Sequence, residues 1–352
     1  VYDGNRHDAK VFPVVLEGFH SFLNELSKSE PAVPKTTLVF DKGNNSAANF
    51  ALVDDLQMDF VGSVKLDEHK DLAKISNTDV RFREPSSEEL TGTKALRLTK
   101  KVYGKKRTVV VTYNQNLFDA QWLTLHTDIT KAVEKLAELR QRLDDRASGV
   151  ISGGRAPTLQ SVEGKCSAIL SRQHLKDVIT TAATSDAQGN VRLTYQVDDK
   201  ALANLSDTLL GKNIIITNHD DWDNAAIILA YRSQFLIEDV FKQMKDRRTG
   251  TWWPMYHWTD SKILVHGLYC TIAQLLRALM HRRTRHAGLS IPLPRLLSEL
   301  DTVREVVNVH PKKRGSKKER RQSVLSKTSK LQANILSALG LTEDRSAANL
   351  AI

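Results

Sequence analysis

One segment carries a single acid in the middle of a polar and basic stripe. The apolar spacing from Trp222 to Lys245 predicts a helix, and at about 100° per residue its polar stripe is about 80° wide. The stripe holds Tyr231, Gln234, Glu238, Lys242 and Lys245. The adjoining face is apolar and is predicted to be buried: Ile237, Val240, Phe241 and Met244. The spacing alone favours a solvated stripe with a Glu238–Lys242 pair, and a functional carboxylate at the edge of a buried face is the alternative interpretation.

A second candidate acid follows a short strand. Thr37 to Phe40 is an apolar, β-branched run that ends at Asp41, and Ser46 is a suitable helix N-cap after the intervening turn. Helical spacing continues from Ala47 to Gln57, and Phe60 to Val64 predicts the next strand. This strand–helix–strand unit places Asp41 at the carboxyl end of its first strand. Ligands of open α/β sheets gather at that edge.

Other acids are excluded by distance. Asp220, Asp221 and Asp223 precede the helix of Glu238. One continuous helix would place Asp221 about 25 Å from Glu238, because each residue adds about 1.5 Å. Helix capping is therefore the predicted role of this cluster. The same argument separates Asp54 and Asp55 from Asp41, since they lie near the far end of the intervening helix.

Composition favours an anionic partner and a reducing compartment. The 352 residues leave room for about two domains. Fifty-one Lys and Arg against forty-one Asp and Glu give a charge of +10, which favours association with polyanions. Two cysteines cannot form a disulfide framework or a four-thiolate zinc site. Gly164-Lys165-Cys166-Ser167 lacks the earlier glycine and the final Ser or Thr of a phosphate loop, so no ATP site is predicted.

The remaining chain divides into a core, an insertion and a basic end. A hairpin is predicted from Leu96–Tyr103 and Arg107–Tyr113, a strand at Lys212–Thr217, and a long helix at Asn116–Arg142. Ile263 to Met280 is apolar but interrupted by polar residues, which predicts a buried helix and no membrane span. Further helices are predicted at Thr259–Arg283, Pro292–Val307 and Leu325–Leu339. Nine basic residues and one acid lie between Pro311 and Lys330.

The spacing of Tyr231, Gln234, Glu238 and Lys245 resembles the Tyr/Arg/Glu/Lys signature of DDE-type insertion-sequence transposases. Gln234 stands where that signature has Arg, and Arg232 lies two residues earlier. Val39-Phe40-Asp41 and the turn after it are similar to the second catalytic motif of the family. Val1–Asp8 and Tyr256–Asp260 are similar to segments that flank its catalytic motifs, and the resemblance covers most of Val1 to Gly288.

The resemblance implies an α/β fold with an RNase H-like core, a mixed β-rich and helical insertion, and a helical, basic C-terminal region. The expected division is 1–68 for the first part of the core, 69–211 for the insertion, 212–288 for the second part of the core, and 289–352 for the C-terminal region. Three carboxylates of the family bind two Mg²⁺ (or Mn²⁺) ions. Asp41 and Glu238 match two of them, and the first Asp is expected upstream of Val1.

The resemblance also implies the activity and the partners. The intact protein is expected to cleave DNA at insertion-sequence ends and to join the strands to target DNA, whereas this fragment is expected to be inactive. Tyr231, Gln234, Lys242, Lys245 and Arg232 are the expected contacts to double-stranded DNA, in a homodimeric synaptic complex in the bacterial cytoplasm. The alternatives are a non-catalytic DNA-binding remnant or regulator, and another RNase H-like nuclease.

Overall fold

The structure is a computed structural model that describes residues 8–29, 35–247, 252–253, 255–310 and 320–341. The chain forms two compact units, one ending at Gln234 and the other beginning at Phe235. The strands are β1 Thr37–Phe40, β2 Asp59–Val64, β3 Thr93–Val102, β4 Lys105–Asn114, β5 Ile179–Ser185, β6 Val191–Val197, β7 Lys212–Thr217, β8 Glu305–His310 and β9 Arg320–Leu325. The helices are α1 Asp8–Ser29, α2 Ala47–Asp55, α3 Lys70–Ala73, α4 Gln115–Ala147, α5 Leu159–Ile169, α6 Leu175–Val178, α7 Asp199–Thr208, α8 Asn224–Arg232, α9 Gln234–Lys245, α10 Asp260–His286, α11 Leu293–Asp301 and α12 Lys330–Ala338.

A five-stranded mixed sheet forms the centre of the first unit, in the order β1-β2-β7-β4-β3. β1 and β2 are parallel, and the other neighbours are antiparallel. The predicted hairpin is confirmed as β3 and β4. Its two turn residues, Tyr103 and Gly104, have φ values of 47° and 86°. Two positive φ values match the right-handed twist of the flanking strands, as in the common two-residue hairpin turns.

Helices cover both faces of this sheet. On one face, Phe40, Phe60 and Ile216 pack with Phe50 of α2 and Leu16 of α1. On the other face, Val61, Val110 and Ile215 pack with Ile227 and Ile228 of α8. Successive strand residues point to opposite faces, so the unbroken apolar run Ile214-Ile215-Ile216 serves both cores. The predicted α/β class is confirmed, and the mixed sheet is consistent with an RNase H-like core.

The segment from α4 to α7 has a hydrophobic core of its own. Leu136 of α4, Val162 of α5 and Leu175 of α6 are buried together with residues of the β5–β6 hairpin. β3 and β4 lie within the predicted insertion 69–211 but pair in the main sheet, because β4 continues the ladder of β7. The separately packed part therefore begins at α4, while the domain division itself stays a prediction.

Two predicted elements at the C-terminal end need correction. The helix expected over Pro292–Val307 ends at Asp301, and the helix expected over Leu325–Leu339 is α12. Between α11 and α12 the chain forms the antiparallel pair β8–β9. Val306, Val307 and Val309 explain the difference, since β-branched residues favour strands over helices. The region is therefore helical with an added hairpin, and most of the basic run lies outside the described residues.

The prediction that the apolar segment Ile263–Met280 is a buried helix is wrong. It belongs to α10, whose Leu268, Tyr269 and Leu275 are 59%, 69% and 58% exposed. Only small or polar residues of α10 are buried, among them Cys270 and Gln274. In the described part of the chain α10 alone is long and apolar enough to cross a membrane, a test that rests on length and composition only. Core helices of soluble proteins pass the same test, so the expected absence of a membrane span stays a prediction.

A buried ion pair joins the β3–β4 hairpin to α2. Both terminal nitrogens of Arg107 donate to the two carboxylate oxygens of Asp54, at 3.1 and 2.7 Å. Nε of Arg107 donates to the carbonyl of Val102, and the guanidinium lies over the rings of Phe50 and Phe60. The Arg107 side chain is only 2% exposed. The planar guanidinium of Arg107 thus donates to both carboxylate oxygens of Asp54 and fills the space between two aromatic rings.

Arg107→Leu is expected to lower the free energy of unfolding by about 3–5 kcal/mol, because it leaves the nearly buried Asp54 carboxylate with only the exposed ammonium of Lys105, 3.4 Å away, as an ionic partner. Equilibrium urea unfolding measures the change. The double variant Asp54→Leu/Arg107→Leu removes both charges and should recover most of the loss. A cost below about 1 kcal/mol for Arg107→Leu, the range of an exposed pair, would contradict the assignment.

Candidate active site

Asp41 lies where β1 leaves the sheet. Its Oδ1 accepts a hydrogen bond from the backbone N–H of Lys42 at 2.7 Å and so caps the short 3₁₀ helix Lys42–Asn44. Ser46 caps α2 through Asn49, as its position predicts. The Asp41 side chain is exposed and forms no ion pair with any described residue. The local turn fixes the carboxylate through one oxygen and leaves its other lone pairs available.

The parallel register of β1 and β2 brings a second set of residues to this edge. Phe40 is level with Gly62, so Ser63 follows at the level of Asp41. The Ser63 carbonyl accepts from Nδ2 of Asn45 at 2.7 Å. The Ser63 hydroxyl accepts from the phenol of Tyr231 at 2.8 Å. The structure therefore brings Tyr231, one of the predicted site residues, to the same edge of the sheet as Asp41.

The predicted continuous helix Trp222–Lys245 is wrong. It starts at Asn224 and is interrupted at Ser233, between α8 and α9. The Ser233 hydroxyl donates to the carbonyl of Ala230 at 2.6 Å, and its N–H is shared between the carbonyls of Leu229 and Ala230. Local hydrogen bonds of serine compete with the regular helical pattern in this way. Tyr231 and Arg232 consequently belong to the first unit, and Phe235 begins the second.

Two predicted DNA contacts are embedded beside this interruption. Arg232 donates to the hydroxyl of Thr93 at 2.8 Å and to the carbonyl of Glu89 at 3.5 Å, which anchors α8 to the start of β3. Nε2 of Gln234 is buried without a hydrogen-bond partner among the described residues. The guanidinium of Arg232 is thus already engaged. Its predicted contact to DNA, like that of Gln234, stays a prediction.

Glu238, Lys242 and Lys245 lie on α9 and are exposed. Within the described part of the chain Glu238 has no ion pair, so the Glu238–Lys242 pair of the alternative interpretation is not formed. The apolar face predicted to be buried is only partly covered: Ile237 and Phe241 are 60% and 55% exposed, whereas Val240 and Met244 are half-buried. A hydrogen bond from Nε2 of Gln274 to Oε1 of Gln243 joins α10 to α9. Asp41 and Glu238 belong to different units, and their meeting stays a prediction.

The excluded acids have structural partners. Asp223 caps α8 by accepting from the N–H of Ala226 at 2.7 Å, which confirms the predicted capping role. Asp220 is not a cap, since it accepts from the hydroxyl of Thr108 at 2.6 Å. Asp221 lies 3.8 Å from Nδ1 of His219. Asp54 is bound to Arg107, so none of these acids competes with Asp41 or Glu238.

The donor chemistry of the two candidate acids fits a hard divalent cation. Carboxylate oxygens are the ligands that Mg²⁺ and Mn²⁺ prefer, and neither carboxylate is neutralised by a described cation. Among the described residues, no three His, Cys, Asp or Glu side chains are gathered as a metal site. Asp41 and Glu238 could therefore provide two ligands, and a complete set requires a further donor.

Comparison with known families identifies the class. The family described as Transposase DDE domain matches residues 1–273, more than three quarters of the chain, and the chain belongs to that family. Its function is accordingly that of a transposase in general. DDE transposases use divalent metals and act on DNA. No curated protein and no solved structure matches the chain.

Sequence analysis did not identify Asn45 and Ser63 as neighbours of the site. Asn45 has only the signal of a turn residue, and Ser63 is a small residue within an apolar strand. Strand register decides which residue lies beside Asp41, and register depends on pairing between segments distant along the chain. The polar character of Ser63 in a buried strand is the one signal that could have pointed to it.

A double-mutant cycle tests the Tyr231–Ser63 contact. Tyr231→Phe and Ser63→Ala each remove one partner of a partly buried hydrogen bond, so each is expected to lower the free energy of unfolding by about 0.5–1.5 kcal/mol. The double variant should cost less than the sum, because the second change removes a group that is already unpaired. Additive costs in urea unfolding would show that the two hydroxyls do not interact.

Proposed function

We propose that this protein catalyses metal-dependent cleavage of DNA at transposon ends and transfer of the freed strand to target DNA. The observation that carries the proposal is the exposed Asp41 carboxylate, which has no cationic partner among the described residues, at the sheet edge where Tyr231 is anchored. Membership of the DDE transposase family supports the same activity. Ligands of open α/β sheets bind at this edge, which supports a reacting phosphate beside Asp41.

Asp41 and Glu238 are the proposed metal ligands. The family uses three such carboxylates, so catalysis is assigned to a protein that carries all three. Two bound Mg²⁺ or Mn²⁺ ions would supply an activated oxygen nucleophile and neutralise charge at phosphorus. Asp41 is prepared for this role because the N–H of Lys42 orients its carboxylate, which limits rotation of the side chain.

The remaining predicted residues are proposed to position DNA. Lys242 and Lys245 lie in the last turn of α9 and expose their ammonium groups, which suits contact with phosphates. The phenol of Tyr231 is held by Ser63 and can still accept a second hydrogen bond. Such contacts fix register on the duplex without reading bases. Synapsis of two ends requires two copies of the protein, so we propose a homodimer acting on chromosomal DNA in the cytoplasm.

The catalytic assignment is tested in the protein that carries all three family carboxylates. Asp41→Asn and Glu238→Gln are each expected to abolish Mg²⁺-dependent nicking of an end-containing duplex, because an amide does not replace an anionic metal ligand. DNA binding, measured by gel shift, should remain within about threefold, since neither side chain is a proposed phosphate contact. Asp55→Asn and Glu134→Gln remove exposed acids elsewhere and serve as matched controls.

Normal nicking by either Asp41→Asn or Glu238→Gln would show that the metal assignment is wrong. A wild-type protein that binds its ends but never nicks them with Mg²⁺ or Mn²⁺ would favour the non-catalytic regulator. Cleavage without strand joining would favour another RNase H-like nuclease. These three outcomes separate the proposed function from its alternatives.

Lys245→Ala is expected to weaken duplex binding and to reduce the slope of log K against log salt by about 1, the effect of one lost phosphate contact. Fluorescence anisotropy over a salt series measures both quantities. Lys94→Ala, an exposed lysine of β3, is the control and should leave the slope unchanged. A Lys245→Ala slope equal to wild type would remove Lys245 from the set of phosphate contacts.

A further inference from the structure

A large cleft opens in the first unit beside the edge that carries Asp41. Lys42, directly after Asp41, lines it, as do Val64 and Lys65 at the carboxyl end of β2. β1 and β2 are parallel, so their carboxyl ends share one edge of the sheet. The cleft therefore begins next to the candidate metal ligand. Its volume is about 1370 Å³, above the usual range of about 300–1,000 Å³ for small-molecule sites.

The two walls of the cleft come from different parts of the unit. One wall is formed by Lys70 and Lys74, one turn apart at α3, and the other by polar side chains of α4 and α7, such as Thr124 and Asn204. Hydroxyl and amide groups also form hydrogen bonds with phosphate and sugar oxygens. None of the lining side chains is Phe, Tyr or Trp.

A buried lysine ties the walls together at the base of the cleft. The ammonium of Lys212 donates to the carbonyls of Ala73 at 3.1 Å and Thr208 at 2.5 Å, and also to that of Ile75. Burial lowers the pKa of Lys212 to about 8. Asn77 adds bonds from Nδ2 to the carbonyls of Ser206 and Leu210. These contacts fix the spacing of the walls, so the cleft is formed before any ligand arrives.

The lining carries an excess of positive charge. Six Lys and Arg side chains line the cleft against three Asp. Asp128 is paired with Arg172 at 2.8 Å, and Asp177 lies 3.2 Å from His174, which leaves Asp67 as the one lining acid without a described basic partner.

Three of the lining lysines have no acidic partner among the described residues. Lys42, Lys70 and Lys74 form no ion pair with described residues, and the nearby Asp71 is bound to Lys100. Three uncompensated ammonium groups along one cleft form a binding surface for an extended polyanion.

We propose that this cleft binds the phosphate backbone of duplex DNA and leads it to the edge carrying Asp41, with Lys42, Lys70 and Lys74 as the phosphate contacts. The proposal rests on the proposed function, since it names the surface that holds the DNA substrate. The contacts are assigned to the backbone because the three uncompensated ammonium groups are flexible point charges, which suit phosphate oxygens. The cleft thereby positions DNA whatever its sequence.

The test compares two variants of equal charge change in the same chain. Lys42→Gln/Lys70→Gln/Lys74→Gln removes the cleft lysines, and Lys94→Gln/Lys106→Gln/Lys165→Gln removes three exposed lysines elsewhere in the first unit. Binding of a random-sequence duplex is measured by anisotropy over a salt series. The cleft variant is expected to lose about tenfold or more in affinity and to reduce the salt slope by about 2 to 3, at about 0.9 per lost phosphate contact. The control variant should change the slope by less than about 1.

Acetylation footprinting by mass spectrometry gives a second readout on the unmutated chain. The duplex should protect Lys42, Lys70 and Lys74 and leave Lys94, Lys106 and Lys165 reactive. Inorganic phosphate at the same phosphate concentration should protect none of them. Protection by phosphate alone would define a site for a small anion and overturn the proposal.

Equal losses in the two variants, or none in the cleft variant, would overturn the cleft proposal while leaving the proposed transposase activity to the Asp41 and Glu238 tests. A wild-type chain that binds no duplex at low salt would overturn both. Circular dichroism and the melting temperature check that the variants remain folded. The replaced side chains are exposed, so both variants are expected to fold normally.

Discussion

The parallel pairing of β1 with β2 is the constraint on which the proposed site depends. It places the carboxyl ends of two strands at one edge, so that Asp41 comes to lie beside Ser63 and both lie next to the cleft. All other neighbouring strands in the sheet are antiparallel, so their carboxyl ends lie at opposite edges. A shift of one residue between β1 and β2 would turn alternate side chains to the opposite face and separate the Phe40–Phe50–Phe60 core from its helix. The hydrophobic core therefore also fixes the position of the candidate acid.

Structural and functional charges are separated within the first unit. Arg107 and Lys212 are buried, and each donates three hydrogen bonds to oxygen atoms of the protein, which avoids the large cost of an uncompensated buried charge. Asp41, Lys42, Lys70 and Lys74 are exposed and lack ion-pair partners among the described residues. Arg107 and Lys212 hold the β3–β4 hairpin and the walls of the cleft in place. The exposed carboxylate and the three exposed ammonium groups are available to a metal ion or to phosphate.

The second unit shows how limited packing changes a helix predicted from periodicity. α9 and α10 both have apolar faces, and most of those side chains are exposed. The small α11–α12 core, centred on Leu296 and Ile335, buries a different part of this unit. Amphipathic periodicity predicts that a face can be buried, whereas burial itself requires a complementary surface. The helical character of both segments was therefore predicted correctly, and their burial was not.

The sequence by itself determined the strand ending at Asp41, the β3–β4 hairpin, the strand β7 and the capping of α8 by Asp223, because each depends on propensities and hydrogen bonds within a short segment. The family resemblance, confirmed over residues 1–273, also came from local motifs and their order. Only the tertiary structure decided that Ser63 lies beside Asp41, that Ser233 interrupts the expected helix and that Lys212 joins two walls of a basic cleft. The positions of Ser63 and Lys212 arise from contacts between residues far apart in the chain, whose energies no local pattern encodes. The bonds of Ser233 are local, but they compete with an equally local helical pattern, and the sequence does not show which of the two forms.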